Sequence, residues 1–281
     1  MKKILLTLLV VFALPAMLRA QQSCCSVPAT EQFRSLAMND EFIYAHPVPP
    51  PFSPMLVGSM ITFTCSDGKT GAGYLASSAK NTGKMILLFH EYWGLNDYIK
   101  SEADRISQEL GVPVLAVDLY DGKVASTQEE ARTYMQGVTT ARATAIINGA
   151  IKYAGTSTRI GTIGWCFGGG WSLQAAILAN TQCDACVMYY GQPETDQAKL
   201  MLLHAPVLGI YGKKDKWLTP KVTADFMKAM KKANKSISLY TYDADHGFAN
   251  PSNPNHDAKS TASAWKHAAT FFKKNLKLKK K

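Results

Sequence analysis

The chain has 281 residues, of which 47% are hydrophobic and 19% are charged, with 31 Lys and Arg against 21 Asp and Glu. A chain of this length and apolar content can bury a complete core, and its charged fraction is too low for an intrinsically disordered protein. The formal net charge of +10 indicates nucleic-acid binding only if the basic residues cover a folded face.

The first 20 residues have the layout of a secretory signal peptide. Two lysines precede an apolar run from Ile4 to Leu18, and Ala20 supplies a small residue at a cleavage position. Because the run is short for a membrane span, we expect an exported protein, periplasmic or secreted, whose mature form has no stable membrane span. A retained anchor and a lipid attached to Cys24 are the alternatives.

The excess positive charge lies at the two ends of the chain. Three basic residues fall within residues 1–20, and six lysines lie between Lys273 and Lys281. Residues 277–281 are interpreted as a basic tail, because an unpatterned run of lysines is more typical of a solvated end than of a nucleic-acid-binding face. We therefore predict no nucleic-acid partner.

Residues 21–58 precede the predicted domain. They contain scattered polar residues and the cluster His46-Pro47-Val48-Pro49-Pro50-Pro51, and we predict an extended lead-in without regular secondary structure. The folded domain is predicted to cover residues 59–276. It begins with two apolar runs, Met60–Cys65 and Gly71–Ser77, around an Asp-Gly pair that favours a tight turn between antiparallel strands.

From residue 84 onward, short unbroken apolar runs alternate with longer helical stretches. This alternation is typical of a parallel sheet covered on both faces. With the hairpin in front, we predict an α/β-hydrolase type of α/β domain, with a mixed, mostly parallel sheet of about eight strands flanked by helices. The further predicted strands are Met85–Phe89, Pro113–Val117, Arg159–Gly164, Ala185–Tyr190, Pro206–Tyr211 and Ser236–Tyr242. The predicted helices are Asp97–Leu110, Ser126–Gly137, Thr139–Ala154, Phe167–Asn180, Pro220–Ala233 and Asp257–Leu276.

A candidate nucleophile lies in the segment Gly164-Trp165-Cys166-Phe167-Gly168, which follows a predicted strand and begins a helix. Glycines two residues before and two after Cys166 allow the strained turn that raises a nucleophile above a sheet. The positive end of the helix also favours a thiolate. We therefore predict that Cys166 is a nucleophile, with a buried structural cysteine as the alternative.

A cysteine nucleophile needs a base, and the base needs an acid that orients it. Asp215 and His246 each follow a predicted strand, and the chain order Cys, Asp, His is that of an α/β-hydrolase triad. We predict His246 as the base and Asp215 as the acid. Asp243 and Asp245 are rivals for the acid.

The chain has five other histidines. We interpret His46, His204, His256 and His267 as structural or surface residues. His90 follows a strand beside Glu91 but lacks the second histidine of a zinc-protease helix, so we predict no metal site.

The segment Glu91-Tyr92-Trp93-Gly94 follows the strand whose loop supplies an oxyanion-hole amide in this fold. Together with the segments around Cys166, Asp215 and His246, it resembles the dienelactone hydrolase family over residues 59 to 276. The resemblance implies Cys166 as nucleophile, His246 as base and Asp215 as its orienter.

The resemblance also implies roles for residues around this triad. The backbone amides of Tyr92 and Phe167 would form the oxyanion hole, and Glu91 would pair with the resting cysteine and control its thiolate. The family's substrate clamp uses two arginines at positions where this sequence has Gln128 and Asn250. Arg132, one helical turn past Gln128, could compensate, and we expect Trp93, Arg132 and Asn250 to contact substrate. This departure argues against dienelactones as the substrate but not against hydrolase chemistry.

The function predicted from these features is hydrolysis of a small lactone or carboxylic ester through a thioester acyl-enzyme, without a cofactor. A small-molecule ester or lactone is the expected partner. A peptidase or acyltransferase on the same fold is one alternative, and a non-catalytic exported binding protein is another.

Five cysteines remain outside the predicted triad. Cys183 and Cys186 have the spacing of a redox motif, but they precede a predicted strand instead of beginning a helix, which argues against redox catalysis. We expect either a local bridge between them or a bridge that reaches Cys24 or Cys25. Cys65 is the fifth, and because the number is odd we expect one of these cysteines to stay free or to pair between chains.

Overall fold

A mixed eight-stranded sheet forms the centre of the computed structural model, which describes residues 28–77 and 83–278. The strand order is β1-β2-β4-β3-β5-β6-β7-β8, with β2 antiparallel to β1 and β4 and the neighbours from β4 to β8 parallel. The predicted α/β-hydrolase sheet is thereby confirmed. The strands are β1 Ser59–Thr64, β2 Thr70–Ala76, β3 Lys84–Phe89, β4 Val114–Val117, β5 Arg159–Trp165, β6 Cys183–Tyr189, β7 Val207–Gly212 and β8 Ile237–Tyr242.

Nine α-helices occur in the described part of the chain, and six of them match predicted helices to within two residues at each end. The helices are α1 Ala29–Leu36, α2 Asp40–Tyr44, α3 Asp97–Leu110, α4 Gln128–Gly137, α5 Thr140–Ala154, α6 Phe167–Ala179, α7 Gln197–Leu202, α8 Pro220–Lys232 and α9 Ala258–Asn275. A short 3₁₀ turn, Asn180–Gln182, precedes β6.

Helices cover both faces of the sheet, as neighbouring residues of β5 show. Any side chain added at Gly161 would meet Phe272 of α9, whereas the Thr162 hydroxyl accepts a hydrogen bond of 3.0 Å from Ser172 of α6. Successive residues of a strand point to opposite faces, so α9 and α6 lie on opposite sides. The central strands are almost wholly buried, which explains why they read as unbroken apolar runs.

The prediction of an extended lead-in over residues 21–58 is wrong for residues 29–44, which form α1 and α2. Phe33 and Ala37 lie four positions apart and are buried, and Phe42 of α2 is fully buried. The side chain of Asn39 accepts a hydrogen bond from the Phe42 amide and begins α2. Apolar contacts with the main body therefore stabilise two helices that are too short to form alone.

The remainder of this segment has no regular secondary structure from residue 46 to residue 58, as expected for its proline cluster. Residues 1–20, Cys24 and Cys25 lie outside the described residues, as does the end of the basic tail. Over residues 28–77 and 83–278, none of the helices combines the length and the apolar character needed to cross a bilayer.

Candidate active site

Cys166 lies at the sharp turn between β5 and α6. Its backbone has φ +56° and ψ −119°, a conformation that an L-residue rarely adopts. The flanking glycines make this turn possible, because a Cβ at Gly164 would overlap the Gly168 carbonyl and a Cβ at Gly168 would overlap the Phe89 carbonyl. The Gly-x-Cys-x-Gly pattern thus reflects close backbone packing on both sides of the cysteine.

His246 and Asp215 form a buried pair beside Cys166. His246 Nδ1 is 2.7 Å from Asp215 Oδ2, and both side chains are almost completely buried. Asp215 Oδ1 accepts hydrogen bonds from the amides of Trp217 and Leu218 at 2.9 and 2.8 Å. These three hydrogen bonds fix the carboxylate, which in turn orients the imidazole.

The rival acid Asp243 lies elsewhere. Its side chain is 79% exposed and pairs with Lys214 at 3.2 Å. Asp215 is therefore the carboxylate that the structure brings to His246.

The neighbouring groups make His246 a stronger base than an ordinary imidazole. Burial alone would lower the pKa of His246, but Asp215 and Cys166 raise it well above its ordinary value. Burial raises the pKa of the Cys166 thiol, while His246 opposes this rise and the Phe167 amide also acts to lower the pKa. A thiol beside such a base can lose its proton to it.

Glu91 lies buried beside these groups, after β3. Tyr190 donates a hydrogen bond of 3.1 Å to its Oε1, and the side-chain amide of Asn250 donates to its Oε2. Burial raises the pKa of Glu91 to about 7. The implied resting pair between Glu91 and Cys166 is not seen among the hydrogen bonds of the described residues.

The thiol instead contacts His46, which the sequence analysis treated as a structural or surface residue. His46 Nε2 is 3.5 Å from Cys166 Sγ, and the His46 ring lies 4.3 Å from the Phe42 ring and 5.4 Å from the His246 ring, centre to centre. His46 is buried, so the surface alternative is excluded, and the contact with the nucleophile was not predicted. The Asn39 cap and the aromatic Phe42 could have indicated a short helix here, but no pattern indicates a contact across 120 positions.

Within the described part of the chain, His46, Cys166 and His246 form a cluster of side chains of the types that can bind a metal ion. Their ligand atoms lie within 4.8 Å of one another, and all three side chains are buried. Two imidazoles and a thiolate suit a soft or borderline divalent ion. The Cys166 sulfur and the Nδ1 atoms of both histidines already have hydrogen-bond partners within the protein.

The other predicted site residues lie around this centre. Tyr92 is fully buried, and its carbonyl accepts a hydrogen bond of 3.1 Å from Tyr120. The Phe167 amide is the first of α6. Neighbouring His90 has a structural role, since its Nδ1 donates to the Glu91 carbonyl at 2.8 Å and its Nε2 accepts from the Leu119 amide at 3.1 Å.

A cavity of about 570 Å³ adjoins the site between α3 and α9. Glu91, Trp93 and Asn250 are part of its wall, which also includes the aromatic residues Trp165 and Trp265. Its described lining does not include Cys166, but it includes Glu91 and Asn250, which hydrogen-bond to each other.

Arg132 is not at this cavity. Its guanidinium lies 4.0 Å from the Met38 sulfur, because α4 packs against the segment that carries α1.

The described cysteines are free and buried at positions 65, 166, 183 and 186. The predicted local bridge between Cys183 and Cys186 is wrong, because both thiols are free in the structure. Burial raises the pKa of Cys186 to about 11 and that of Cys183 further. Both are inert core residues in this structure.

The strand order, the cysteine at the turn and the buried histidine–aspartate pair define an α/β-hydrolase. A model of the dienelactone hydrolase family matches residues 72–276. The chain belongs to that family and is a hydrolase acting on ester bonds.

The chain is similar along most of its length to several individual proteins. The chain is 27% identical to "Protein usf" of Aquifex pyrophilus, over 78% of this chain and 100% of that protein. It is 28% identical to "Carboxymethylenebutenolidase" of Pseudomonas sp. strain P51, over 70% and 87%. Among solved structures, "Dienelactone Hydrolase-like Promiscuous Phospotriesterase P91 from Metagenomic Libraries" has a TM-score of 0.67 at 21% identity, over 78% of this chain and 98% of that chain. At this identity the structural match supports the fold alone.

Proposed function

We propose that this protein hydrolyses small lactones or carboxylic esters with Cys166 as nucleophile, His246 as base and Asp215 as the residue that orients His246. The observation that carries the proposal is the strained position of Cys166 next to a buried His246–Asp215 pair. The names of relatives such as the Pseudomonas carboxymethylenebutenolidase support the same substrate class.

The proposed reaction has two halves. The Cys166 sulfur attacks the ester carbonyl after its proton passes to His246, and the amides of Tyr92 and Phe167 stabilise the oxyanion. The carbon–oxygen bond then breaks, and the alcohol or lactone hydroxyl leaves with the proton from His246. Water, deprotonated by His246, attacks the thioester, which releases the acid and restores the thiol. Every atom comes from ester and water, so no cofactor is needed.

Turnover of aryl esters and unsaturated lactones by wild type and by Cys166→Ala tests this proposal. We expect the variant to lose at least about 10³-fold in kcat/KM. Cys65→Ala is the matched control, because Cys65 is also free and buried but lies beyond β1. Mass spectrometry of wild type mixed with a slowly hydrolysed ester should find the acyl group on the peptide that contains Cys166.

Undiminished turnover by Cys166→Ala would refute the assigned nucleophile. Faster release from amides, or transfer to an added alcohol or amine in place of water, would favour a peptidase or an acyltransferase. Binding of esters without turnover by either protein would favour a binding protein.

We also propose that the protein is exported, on the signal-like pattern of residues 1–20. The amino-terminal sequence of the protein purified from its native cells tests this. Cleavage after Ala20 and recovery outside the cytoplasm are expected, and an intact Met1 in a cytoplasmic fraction would refute the proposal.

A further inference from the structure

The hydrogen bonds of His46 determine where the proton of the Cys166 thiol lies. His46 Nδ1 is 2.7 Å from the Phe42 carbonyl oxygen, and a carbonyl oxygen can only accept, so Nδ1 carries the hydrogen. Burial, with His246 next in effect, lowers the pKa of His46 to about 3, which keeps its ring neutral at physiological pH. Its Nε2 is then a bare acceptor, and the hydrogen in the 3.5 Å contact with Cys166 belongs to the sulfur.

The stronger base nearby does not receive this hydrogen. His246 Nε2 is buried within 4.8 Å of Cys166 Sγ, yet it has no hydrogen-bond partner in the described part of the chain. The thiol therefore donates to the weaker base of the two, and such a base does not draw the proton away. Cys166 is in this way kept as a neutral thiol.

Polar anchors place the His46 backbone over the site. The Gln128 side chain donates a hydrogen bond of 3.1 Å to the His46 carbonyl, and the Asn253 side chain donates one of 3.1 Å to the Ala45 carbonyl. The His46 ring also packs against Tyr92, with centres 5.2 Å apart. Its position is thus set by contacts with α4 and with the loop before α9.

The carboxylate that the family resemblance assigns to nucleophile control is occupied elsewhere. Both oxygens of Glu91 accept hydrogen bonds, from Tyr190 and from Asn250. A side chain bonded at both oxygens is not free to turn to the sulfur, whereas His46 already contacts it.

We propose that His46 is a positioning residue that holds the hydrogen of the Cys166 thiol, and that its ring must move before the nucleophile can be activated. This proposal rests on the proposed function of Cys166. The segment that carries His46 also covers the site, since Cys166 is only 1% exposed. A bound substrate would displace the ring and release the thiol to His246. The titratable groups that act on or face this thiol are His46, Glu91, Tyr92, Tyr120, Tyr190, Asp215 and His246.

The ionisation midpoint of the Cys166 thiol tests the proposal. It is measured from the ultraviolet absorbance of the thiolate as a function of pH, after subtraction of the absorbance of the same protein with Cys166→Ala. Because no thiol reagent is used, the accessibility of the sulfur does not affect the result. His46→Phe keeps an aromatic ring but has no acceptor, and the thiol must then turn to His246. We expect the midpoint to fall by about one pH unit or more. His204→Phe, at an exposed histidine, is the matched control and should leave the midpoint unchanged.

Two further variants keep the test decisive if His46→Phe does not fold. His46→Ala should lower the midpoint as much and also increase the rate of alkylation by iodoacetamide at every pH, because it uncovers the sulfur. Asn253→Ala, which removes one anchor of the segment, should lower the midpoint by less. An unchanged or higher midpoint in the folded His46 variants would overturn the proposal. Ester turnover by Cys166→Ala separately decides the proposed function, because the thiol midpoint is defined without any substrate.

Discussion

Replacing Asp215 with Asn is expected to remove most activity without unfolding the protein. The carboxylate accepts two backbone hydrogen bonds at Oδ1 and one from His246 at Oδ2. In Asn the single oxygen must serve the two amides, so the NH₂ group faces His246 Nδ1. Because an NH₂ group can only donate, His246 must carry its hydrogen on Nε2 and can no longer accept the thiol proton.

The size of this loss follows from the tautomer. An imidazole in the wrong tautomer must first change tautomer before it can act as a base, and in a serine-protease triad the same substitution lowers kcat by about 10⁴-fold. A thiol is easier to ionise than a hydroxyl, so we expect a loss of about 10²- to 10⁴-fold here, or about 3–5 kcal/mol in activation free energy. The overall shape of the site is preserved, since Asn and Asp have the same size.

The assay is steady-state ester hydrolysis over a range of pH, with thermal unfolding measured on the same samples. Asp243→Asn is the control, because that carboxylate is 79% exposed and pairs with Lys214. It should retain wild-type kcat. A loss below 10-fold in Asp215→Asn, with unchanged unfolding temperature, would refute the role given to this hydrogen bond.

Three further predictions concern stability. Burial raises the pKa of Glu91 from 4.5 to about 7, so the folded protein binds a proton that the unfolded chain releases. Relative to Glu91→Gln, the wild-type free energy of unfolding should therefore fall by about 3 kcal/mol between pH 4 and 8. Denaturant unfolding of both proteins at several pH values measures this difference, and a difference that does not change with pH would contradict the prediction. Gly168→Ala should reduce soluble, folded protein because its Cβ overlaps the Phe89 carbonyl, whereas Gly137→Ala, with open space around it, should match wild type in circular dichroism. Phe42→Ala, at a fully buried ring, should lower the free energy of unfolding by about 3–5 kcal/mol, and a change below 1 kcal/mol in denaturant titration would show that α2 is not packed as described.

The fold could be predicted from sequence where local pattern and tertiary environment agree. Strands β3 to β7 are buried on both faces, so each reads as a short apolar run. Helix α3 begins at the Asn96 cap and ends at Gly111 in the left-handed conformation, and both signals are visible in the sequence. Helices α1, α2 and α7 have at most eight residues. Helices this short depend on tertiary contacts with the rest of the fold, which explains why the sequence pattern did not predict them.

In the active site too, some residues could be predicted from the sequence and others could not. The turn at Cys166 and the loops of Asp215 and His246 follow strands, so their convergence follows from the parallel sheet. His46 does not follow a strand, and its distance from the sulfur depends on how a proline-rich segment returns over the sheet. Arg132 faces that segment for the same reason, and the pairing of Glu91 with Asn250 depends on loop conformations that no spacing rule predicts.

The family match begins at residue 72, whereas the side chain that contacts the sulfur is at residue 46. The inherited catalytic body and the segment that covers its nucleophile are therefore separate stretches of one chain. None of the described residues of the covering segment belongs to the sheet, since β1 begins at Ser59. A substitution in residues 29–58 can thus change the access to Cys166 while the triad itself stays the same.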